Sequence, residues 1–397
     1  MVTGFLLWGA TMSDTCDLCG GDRLKPVYRP QGTTRGITVH LCAACGLVQS
    51  LPRSDREKRN PAAVSSAADW GNVRYGKGFR TGQAMEALAR HADLSGGIAL
   101  LDVGSNRGSF VKAFLAAAPN AHVVAVEPDE RVAQSCAGLA ELIEARIEDA
   151  ALESGRFDVV HSCHTIEHLA HPARTLADHH RVLKDGGLLI LDAPNIALLA
   201  SDDIVEEWFI DKHLYHFSAE TLARMIEAAG FEIVQQPDPS DRSNLLFVAR
   251  KSVAARPAAD ARLAEEAEDL IARYIATRAR NLSALTAVAA EIARLSPRGV
   301  ALWGAGRLFD SLVVHGRFNP RALTLLIDKH LKPLVGERHG CMVAAPEALS
   351  ESQAGVVVVM SRDFAREIAA EAKSLAPHAE ILFYSDLLSR AQTRLAA

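Results

Sequence analysis

The pattern of apolar and polar positions is clearest at 98–110, where the run IALLDV passes through two spaced glycines into helical spacing. This pattern predicts a strand, a tight turn and a helix. Gly104 permits a sharp turn at the carboxyl end of the strand, and Gly108 lets the helix pack closely against a ligand or the sheet. Asp102 is expected to accept polar hydrogens of a ligand. The spacing D-x-G-x-x-x-G differs from G-x-G-x-x-G, so the turn does not predict a pyrophosphate cradle.

The alternation of strand and helix patterns continues to about residue 251. The run HVVAVEP predicts a second strand ending at Glu127, 25 positions after Asp102, where an acid can accept hydrogen bonds from both ribose hydroxyls. FDVVHS and GLLILDAP predict further buried strands, and a later helix is expected between Ser218 as its N-cap and Gly230 at its end. This order predicts the α/β class, with a parallel sheet covered by helices on both faces and ligands at the carboxyl ends of the strands.

The carboxyl-terminal part has two patterns. Residues 258–296 are alanine-rich and charged with helical spacing, which predicts a connector of one long helix or two. Residues 297–397 repeat the α/β pattern, with Gly304 and Gly306 in a strand-to-helix turn and Asp328 after the next strand. Asp328 lies 24 residues after Gly304, a separation at which an acid would suit a ribose. A Rossmann-like domain that only packs or oligomerises is the open alternative.

Composition and charge narrow the class of protein. The 397 residues, 49% of them hydrophobic, are enough for two or three domains. A net charge of -5, without a dense basic stripe, argues against nucleic acid as a partner. No apolar run approaches a membrane span, and the first residues lack the basic flank of a signal peptide, so a cytoplasmic protein is expected. Residues 1–13 are expected to be a disordered leader, with Met1 or Met12 as the start.

Four of the seven cysteines form two C-x-x-C pairs near the amino end, with 22 residues between the pairs. The pairs are Cys16 with Cys19 and Cys42 with Cys45. Two such turns can present four thiolates to one tetrahedral Zn²⁺, and four sulfurs close the site, so the metal would be structural. Residues 14–60 therefore predict a four-cysteine zinc-binding module, which is too small to be stable without the roughly 10–16 kcal/mol that a structural zinc contributes. A disulfide or a redox C-x-x-C is the alternative.

The acid and glycine pattern of residues 61–252 resembles the class I S-adenosylmethionine (SAM)-dependent methyltransferases. The resemblance implies a central Rossmann-like domain with SAM as its cofactor. In that family the residues matching Asp102, Gly104 and Gly108 line the methionine end of SAM. The residue matching Glu127 holds the ribose, and the segment 147–149 flanks the adenine. The full cofactor-binding set that the resemblance implies is Asp102, Gly104, Ser105, Asn106, Gly108, Glu127, Pro128, Glu148, Asp149, His161 and His164.

The string HTIEH at 164–168 follows a predicted strand. It matches the H-x-x-E-H pattern of one class of metalloproteases, but that pattern lies within a long helix, and a position directly after a buried strand favours a methyltransferase pocket. His168 is the candidate general base, because imidazole accepts a proton near neutral pH. The alternative for Glu167 and His168 is that they brace the next helix, and for Glu167 this is the favoured interpretation. His179 and His180 are expected on an exposed helical face.

The three parts of the chain together resemble the three-domain C-methyltransferases that act on nucleotide-linked deoxysugars. In that family a Tyr-x-Glu-His segment helps to deprotonate a carbon beside a keto group, and the matching positions here are Ile210, Lys212 and His213. The histidine is retained, and His168 lies where the family carries a catalytic histidine, but the tyrosine and the glutamate are replaced. The missing carboxylate makes transfer to a hydroxyl or amino group as plausible as transfer to carbon. Lys212 can bind a phosphate or stabilise an oxyanion. The catalytic candidates are therefore His168, His213 and Lys212.

The leading functional hypothesis is SAM-dependent methyl transfer to a small polar acceptor, a nucleotide-linked sugar or a related metabolite, by a monomer or homodimer. No nucleic acid and no membrane partner is expected. One alternative is an RNA methyltransferase that uses the zinc module for recognition, against which the acidic balance counts. The other is a non-catalytic zinc-containing scaffold with a degenerate SAM pocket, against which the intact acid and glycine pattern counts.

Overall fold

The computed structural model describes residues 15–53, 76–253, 260–333, 335–362 and 364–396. Within these ranges the chain forms two compact units. The first unit contains 15–53, 80–198 and 209–271, and the second contains 76–79, 199–208 and 272–396. The predicted leader, residues 1–13, and the predicted domain boundary at 60–61 lie outside the described residues.

Strands and helices alternate along the first unit after three amino-terminal strands. The strands are β1 (Leu24–Tyr28), β2 (Thr38–Cys42), β3 (Val48–Leu51), β4 (Ala99–Val103), β5 (His122–Val126), β6 (Glu141–Ile143), β7 (Phe157–Cys163), β8 (Leu183–Pro194), β9 (Tyr215–His216), β10 (Phe231–Gln235) and β11 (Asn244–Lys251). The helices between them are α1 (Gly76–His91), α2 (Ser109–Ala117), α3 (Glu130–Ala133), α4 (Pro172–Val182) and α5 (Ala219–Ala228).

The larger sheet of this unit has the strand order β10-β11-β8-β7-β4-β5-β6. The strands from β8 to β6 are parallel, and the Val, Leu and Ile side chains of β4, β5, β7 and β8 are buried. This confirms the predicted α/β class with a parallel sheet. The last two strands differ from the prediction, because β10 and β11 pair antiparallel and β11 pairs antiparallel with β8. The connection at 236–243 is too short for the crossover that a parallel pair needs.

Helix α5 has the predicted ends. The Ser218 hydroxyl accepts a hydrogen bond from the Thr221 amide at 3.2 Å, and the Thr221 hydroxyl accepts one from the Ser218 amide at 3.0 Å. Gly230 follows the helix with a φ of +99°, a conformation that a residue with a Cβ rarely adopts. The two hydrogen bonds satisfy two amides at the start of the helix, and Gly230 directly precedes β10.

The smaller sheet joins the cysteine-containing segment to a distant part of the chain. Its order is β1-β2-β3-β9, with all pairs antiparallel. Val48 pairs with His216 and Gln49 with Tyr215, and the Ser50 hydroxyl lies 3.0 Å from His216 Nε2. The cysteine segment therefore packs as part of the first unit, against residues that directly follow Lys212 and His213.

Helix α4 corrects one expectation. His179 was expected on an exposed face, but its side chain is 1% exposed, and neither ring nitrogen has a partner among the described residues. It lies one turn after Thr175 and Leu176, on the buried stripe that continues to Val182. His180 is half-buried, with Nε2 at 2.9 Å from the Ser252 carbonyl oxygen.

Helix α6 (Arg262–Arg294) is one continuous helix of 33 residues. Its buried positions, among them Leu285, Val288 and Ile292, follow the three- and four-residue spacing of an amphipathic helix. The pattern left one helix or two open, and the structure has one. No helix in the described ranges combines the length and the apolar character that a membrane crossing requires.

The second unit contains a six-stranded sheet of the order β14-β15-β13-β12-β16-β17. The five strands from β15 to β17 are parallel, and β14 pairs antiparallel with β15. The strands are β12 (Val300–Trp303), β13 (Leu325–Ile327), β14 (Glu337–Arg338), β15 (Cys341–Ala344), β16 (Val356–Val359) and β17 (Glu380–Phe383). The helices are α7 (Arg307–Val314), α8 (Ala365–Leu375) and α9 (Tyr384–Ala396).

A partly buried ion cluster holds residues 199–208 in this second unit. The Arg362 guanidinium donates from Nε to Asp203 at 2.8 Å and from both terminal nitrogens to the two Glu206 carboxylate oxygens at 2.8 Å each. The two carboxylates raise the pKa of Arg362 despite its burial. The bidentate geometry has the directional precision that arginine offers and lysine lacks.

Gly46 supplies a prediction, because its φ is +77° and a Cβ there would lie 2.6 Å from the Leu263 backbone. Gly32 has the same φ of +77° with no described atom within 4 Å of the added Cβ. Gly32→Ala should lose only the left-handed strain, about 1–2 kcal/mol of the unfolding free energy, and Gly46→Ala should lose more. Urea unfolding of both variants measures the difference. Equal losses would contradict the close packing of Gly46 on the start of α6.

Candidate functional site

The turn after β4 is shaped by its glycines. The amides of Gly104 and Ser105 donate to the Val126 carbonyl at 2.9 and 3.2 Å, which ties the turn to the end of β5. Gly104 has a φ of +72°, and a Cβ there would lie 2.2 Å from Thr165 Oγ1. Gly108 has a φ of +69°, and its Cβ would lie 2.6 Å from Cys136 Sγ. No other residue fits either position without a shift of its neighbours, so the turn keeps its backbone accessible at the edge of the sheet.

Glu127 lies beside this turn at the end of β5. Its Oε2 accepts a hydrogen bond from the Asn106 amide at 2.9 Å, and its Oε1 accepts one from the Asp129 amide at 3.0 Å. Burial raises the pKa of Glu127, and the two backbone amides oppose that shift. Each carboxylate oxygen accepts one backbone bond and keeps further lone-pair capacity, which is what two ribose hydroxyls would need.

Asp102 and His161 form a buried pair between neighbouring strands. Asp102 Oδ1 lies 2.6 Å from His161 Nδ1, and the His161 ring stacks on Phe110 with the ring centroids 3.6 Å apart. Asp102 Oδ2 is buried and has no partner in the described part of the chain. The aspartate thus holds the histidine at the strand ends, and direct contact of either residue with SAM stays a prediction.

The other predicted cofactor residues surround the same edge of the sheet. Ser105 is buried in the glycine turn, and Asn106 has a φ of +47° and presents its amide to Glu127. Pro128, Glu148 and Asp149 are exposed, the last two in a 3₁₀ turn at Ile147–Asp149. Their proposed contact with the adenine stays a prediction.

The segment after β7 brings the catalytic candidates together. His168 Nδ1 lies 2.7 Å from the Lys212 carbonyl oxygen, and the rings of His168 and His213 have centroids 4.9 Å apart. The Leu214 amide donates to the Glu167 carbonyl at 2.8 Å. Two segments that are 44 residues apart therefore meet in one histidine cluster, and a catalytic role for its residues stays a prediction.

The turn that carries Ile210 and Lys212 is anchored to the connection between β1 and β2. The Asp211 carboxylate accepts a hydrogen bond from the Thr34 amide at 2.8 Å, one from its hydroxyl at 2.9 Å and one from the Arg35 amide at 3.3 Å. Charge-assisted bonds of this kind are stronger than neutral ones. The anchor fixes the backbone carbonyl of Lys212 that His168 contacts.

Glu167 is a site residue for which the sequence favours only a role in bracing the next helix. Its side chain is 1% exposed, and neither carboxylate oxygen has a hydrogen-bond partner among the described residues. Oε1 lies 3.6 Å from His164 Nδ1 and 3.6 Å from His168 Nε2. Burial raises the pKa of Glu167 to about 8. The only signal in the sequence was its place between a buried strand and His168, which does not reveal burial.

The imidazoles of His164, His213 and His216 are held neutral. Burial, with the charges of neighbouring basic groups, keeps the pKa of His213 well below its ordinary value. The same causes lower the pKa of His164, with Arg80 as the leading charge. Burial lowers the pKa of His216 to about 3. These rings therefore carry lone pairs and no charge at neutral pH.

His164 is also part of a second polar group at the ends of β7 and β8. Its Nε2 lies 3.1 Å from Asn244 Oδ1 and 3.7 Å from Asp192 Oδ2. Burial raises the pKa of Asp192 to about 6. His164 thus lies between Asp192 and Glu167, and its predicted contact with SAM stays a prediction.

The four paired cysteines converge on one point. The Sγ atoms of Cys16 and Cys45 lie 3.4 Å apart, those of Cys19 and Cys42 lie 3.6 Å apart, and all four lie within 4.8 Å of one another. None of them forms a disulfide. Zinc–sulfur bonds of about 2.3 Å in a tetrahedron separate the sulfurs by about 3.8 Å. The donor set and its spacing therefore fit a zinc ion.

In the second unit, the Asp328 carboxylate is hydrogen-bonded to nearby backbone amides. Asp328 Oδ2 accepts a hydrogen bond from the Ala305 amide at 3.0 Å, and Oδ1 accepts from the amides of His330 at 3.0 Å and Leu331 at 2.8 Å. Gly304 has a φ of +122° and packs against the Met360 carbonyl. Nucleotide binding by this turn stays a prediction.

Comparison with known families agrees with the central part of this description. Residues 77–236 match a family model described as a methyltransferase domain. The match indicates a methyltransferase domain. The matched segment contains the glycine turn, Glu127 and the histidine cluster, and such a domain supports SAM as its cosubstrate. No curated protein matches the chain.

Solved structures resemble parts of the chain at low identity. A SAM-dependent methyltransferase from Mesorhizobium loti is 16% identical, with a TM-score of 0.36, and the similarity covers 45% of this chain and 100% of that one. For a SAM-dependent methyltransferase from Aquifex aeolicus the identity is 15%, the TM-score 0.37 and the coverage 49% and 99%. A chain of the Haloferax volcanii complex that contains the Trm112 methyltransferase activator is 18% identical, with a TM-score of 0.39. The similarity covers 48% of this chain and 97% of that one. The methyltransferase assignment depends on the family match and the geometry of the site.

Glu127 generates a prediction for cofactor binding. Glu127→Gln should weaken SAM binding by about 1.5–3 kcal/mol, because an amide nitrogen cannot accept a hydrogen bond and the charge is lost. Titration calorimetry with SAM measures the affinity. Glu130→Gln changes an exposed neighbour in the same way and serves as the matched control. Wild-type affinity in Glu127→Gln would reject the ribose assignment.

Proposed function

We propose that this chain catalyses SAM-dependent methyl transfer to a small polar acceptor, most simply a nucleotide-linked sugar or a related metabolite. The observation that carries the proposal is the arrangement of two groups along neighbouring strand ends. The glycine turn and Glu127 follow β4 and β5, and the histidine cluster follows β7, the strand on the other side of β4. The carboxyl ends of parallel strands meet at one edge of a sheet. A cofactor and an acceptor would therefore lie side by side there.

The chain's own residues fit the cofactor on the first side. A side chain at Gly104 or Gly108 would clash with Thr165 or Cys136, so the two glycines let the turn pack closely, and Glu127 retains acceptor capacity for a diol. SAM supplies a methyl group that its sulfonium already makes electrophilic. The protein's remaining tasks are to align the acceptor with that methyl group and to take up the acceptor's proton.

His168 is the proposed base, because its hydrogen bonding fixes where its lone pair lies. A carbonyl oxygen can only accept, so the 2.7 Å contact between His168 Nδ1 and the Lys212 carbonyl places the proton of the neutral ring on Nδ1. The basic atom is then Nε2. His213 lies beside it and is the second candidate base. In either case the proton of the attacked hydroxyl, amine or carbon passes to a ring nitrogen.

Lys212 is proposed to bind the acceptor. A lysine ammonium donates and cannot accept, so it suits a phosphate or an oxyanion that develops during proton removal. Its replacement of the glutamate in the resembled sugar enzymes agrees with a phosphate-bearing acceptor. Incubation of the purified protein with SAM and a panel of nucleotide-linked sugars, read by mass spectrometry, tests the substrate class.

The cysteine module is proposed to hold one structural zinc through Cys16, Cys19, Cys42 and Cys45. The support is the sulfur spacing and the fully sulfur donor set, which closes the site to substrate. Zinc binding would stabilise the sheet of β1, β2 and β3. Because β3 pairs with β9, the metal would also support the backbone next to Lys212 and His213.

The base assignment predicts the effect of His168→Ala. Turnover should fall by about 10²–10⁴, with SAM affinity little changed, because the imidazole acts on the acceptor's proton and not on the cofactor. Lys212→Ala should mainly raise the acceptor's Michaelis constant. Steady-state kinetics and calorimetry separate these effects. His122→Ala, at the exposed start of β5, is the control. Near-normal turnover in both His168→Ala and His213→Ala would remove the base from the mechanism.

The zinc assignment predicts one metal ion per wild-type chain and its loss in Cys42→Ser. Hydrogen exchange of the Tyr215 and His216 amides should become faster in that variant, since a loosened β3 no longer protects β9. Elemental analysis and hydrogen exchange provide the two readouts. Cys341→Ser changes a cysteine of the second unit and should keep the metal. Metal-free wild-type protein would refute the assignment.

A further inference from the structure

The carboxyl group of Glu167 is the polar group of the histidine cluster that the proposed mechanism does not yet use. It is buried, and neither oxygen has a hydrogen-bond partner in the described ranges. Its position is fixed by the 3₁₀ turn at Ile166–His168 and by the hydrogen bond from the Leu214 amide to its own carbonyl. A buried polar group of this kind costs about 1–3 kcal/mol unless a partner arrives. The cluster is therefore built around a carboxyl group that still requires a proton or a cation.

Hydrogen bonds on the far sides of two imidazoles direct their lone pairs to this carboxyl group. The Lys212 carbonyl holds the proton of His168 on Nδ1, so the lone pair lies on Nε2. The Asn244 amide nitrogen donates to Asp241 at 3.1 Å, so Asn244 Oδ1 accepts from His164 Nε2 and leaves the His164 lone pair on Nδ1. Both lone-pair nitrogens lie 3.6 Å from Glu167 Oε1.

We propose that Glu167 and His168 accept the acceptor's proton as one unit, with the Glu167 carboxylate beside His168 Nε2. This inference rests on the proposed function. The acceptor's electron pair forms the bond to the methyl group, and the pair of the broken carbon–sulfur bond stays on the sulfur. The acceptor's proton passes to His168 Nε2, and the Glu167 carboxylate balances the imidazolium. Glu167 is a positioning residue, because it acts through His168.

The charges around Glu167 define the pH at which the unit works. Burial, reinforced by Asp192, raises the pKa of Glu167 to about 8, while Lys212 and Arg80 oppose the shift. Below this pH the unit already holds a proton and cannot take the acceptor's. The rate should therefore rise with pH through about 8, above the range of an ordinary histidine. The groups that face the carboxyl group are His164, His168, His213, Lys212, Arg80 and Asp192.

The kinetic test compares the pH–rate profile of the wild type with that of Glu167→Gln. The amide keeps the shape of the side chain but cannot balance an imidazolium. Maximal turnover should fall by about 10- to 100-fold, and the apparent pKa should fall by about one unit or more, because the carboxylate no longer favours the protonated ring. Glu232→Gln, on the exposed face of β10, is the matched control and should follow the wild type. A profile of Glu167→Gln that coincides with that of the wild type would overturn the proposal.

A second test needs no acceptor. NMR titration of the full-length protein follows the ring nitrogens of His168 and the carboxyl carbon of Glu167. The expected result is a shared transition near pH 8, with His168 shifting when Glu167 becomes glutamine. A Glu167 carboxyl group that titrates near its ordinary value of about 4.3, apart from His168, would refute the unit. The wild-type titration decides this even if Glu167→Gln does not fold.

The two tests also separate the two proposals. If the wild type transfers no methyl group to any acceptor of the panel, the proposed function fails, and the titration still shows whether the two groups share a proton. If His168→Ala loses turnover and Glu167→Gln does not, the base is His168 alone and only the present inference fails.

Discussion

The backbone of residues 214–216 is hydrogen-bonded on two sides, and the geometry of the histidine cluster depends on it. On one side the Leu214 amide donates to the Glu167 carbonyl, and on the other the Leu214 carbonyl accepts from the Ser50 amide at 2.7 Å. Buried backbone groups need such partners, so neither side can move without a loss of pairing. Backbone hydrogen bonds therefore hold together the sheet of β1, β2, β3 and β9, the segment 212–216 and the turn after β7, although these parts are far apart in the sequence.

Much of the fold of the first unit can be predicted from short windows of sequence. Buried parallel strands such as β4, β5 and β7 are apolar runs with a polar residue at the end, and the glycines at 104 and 108 identify the turn, because few residues tolerate its φ angles. The pairing of β3 with β9 has no such signal, since it joins two very short strands more than 160 residues apart. Which distant strands pair depends on which backbone groups the rest of the fold leaves without hydrogen-bond partners.

The candidate site was predictable to the same extent. The acid after β5 and the histidines after β7 follow from their places at strand ends. The role of Glu167 does not, because burial without a partner is a property of the surroundings and not of the residue. His179 shows the same limit in the opposite direction, since a histidine on a helix looks polar in sequence and yet lies on the buried stripe of α4. The electrostatic character of both groups comes from desolvation, which only the packed structure defines.

The ion cluster of Arg362 has a consequence for the order in which the chain can fold during synthesis. Its carboxylate partners, Asp203 and Glu206, precede it by more than 150 residues. A ribosome that adds about 5–20 residues per second needs on the order of ten seconds to make that length of chain. Residues 199–208 must leave the ribosome long before the guanidinium that neutralises them exists. The first unit, whose described residues end at 271, can fold in that interval, whereas the second unit can be completed only after nearly the whole chain has been translated.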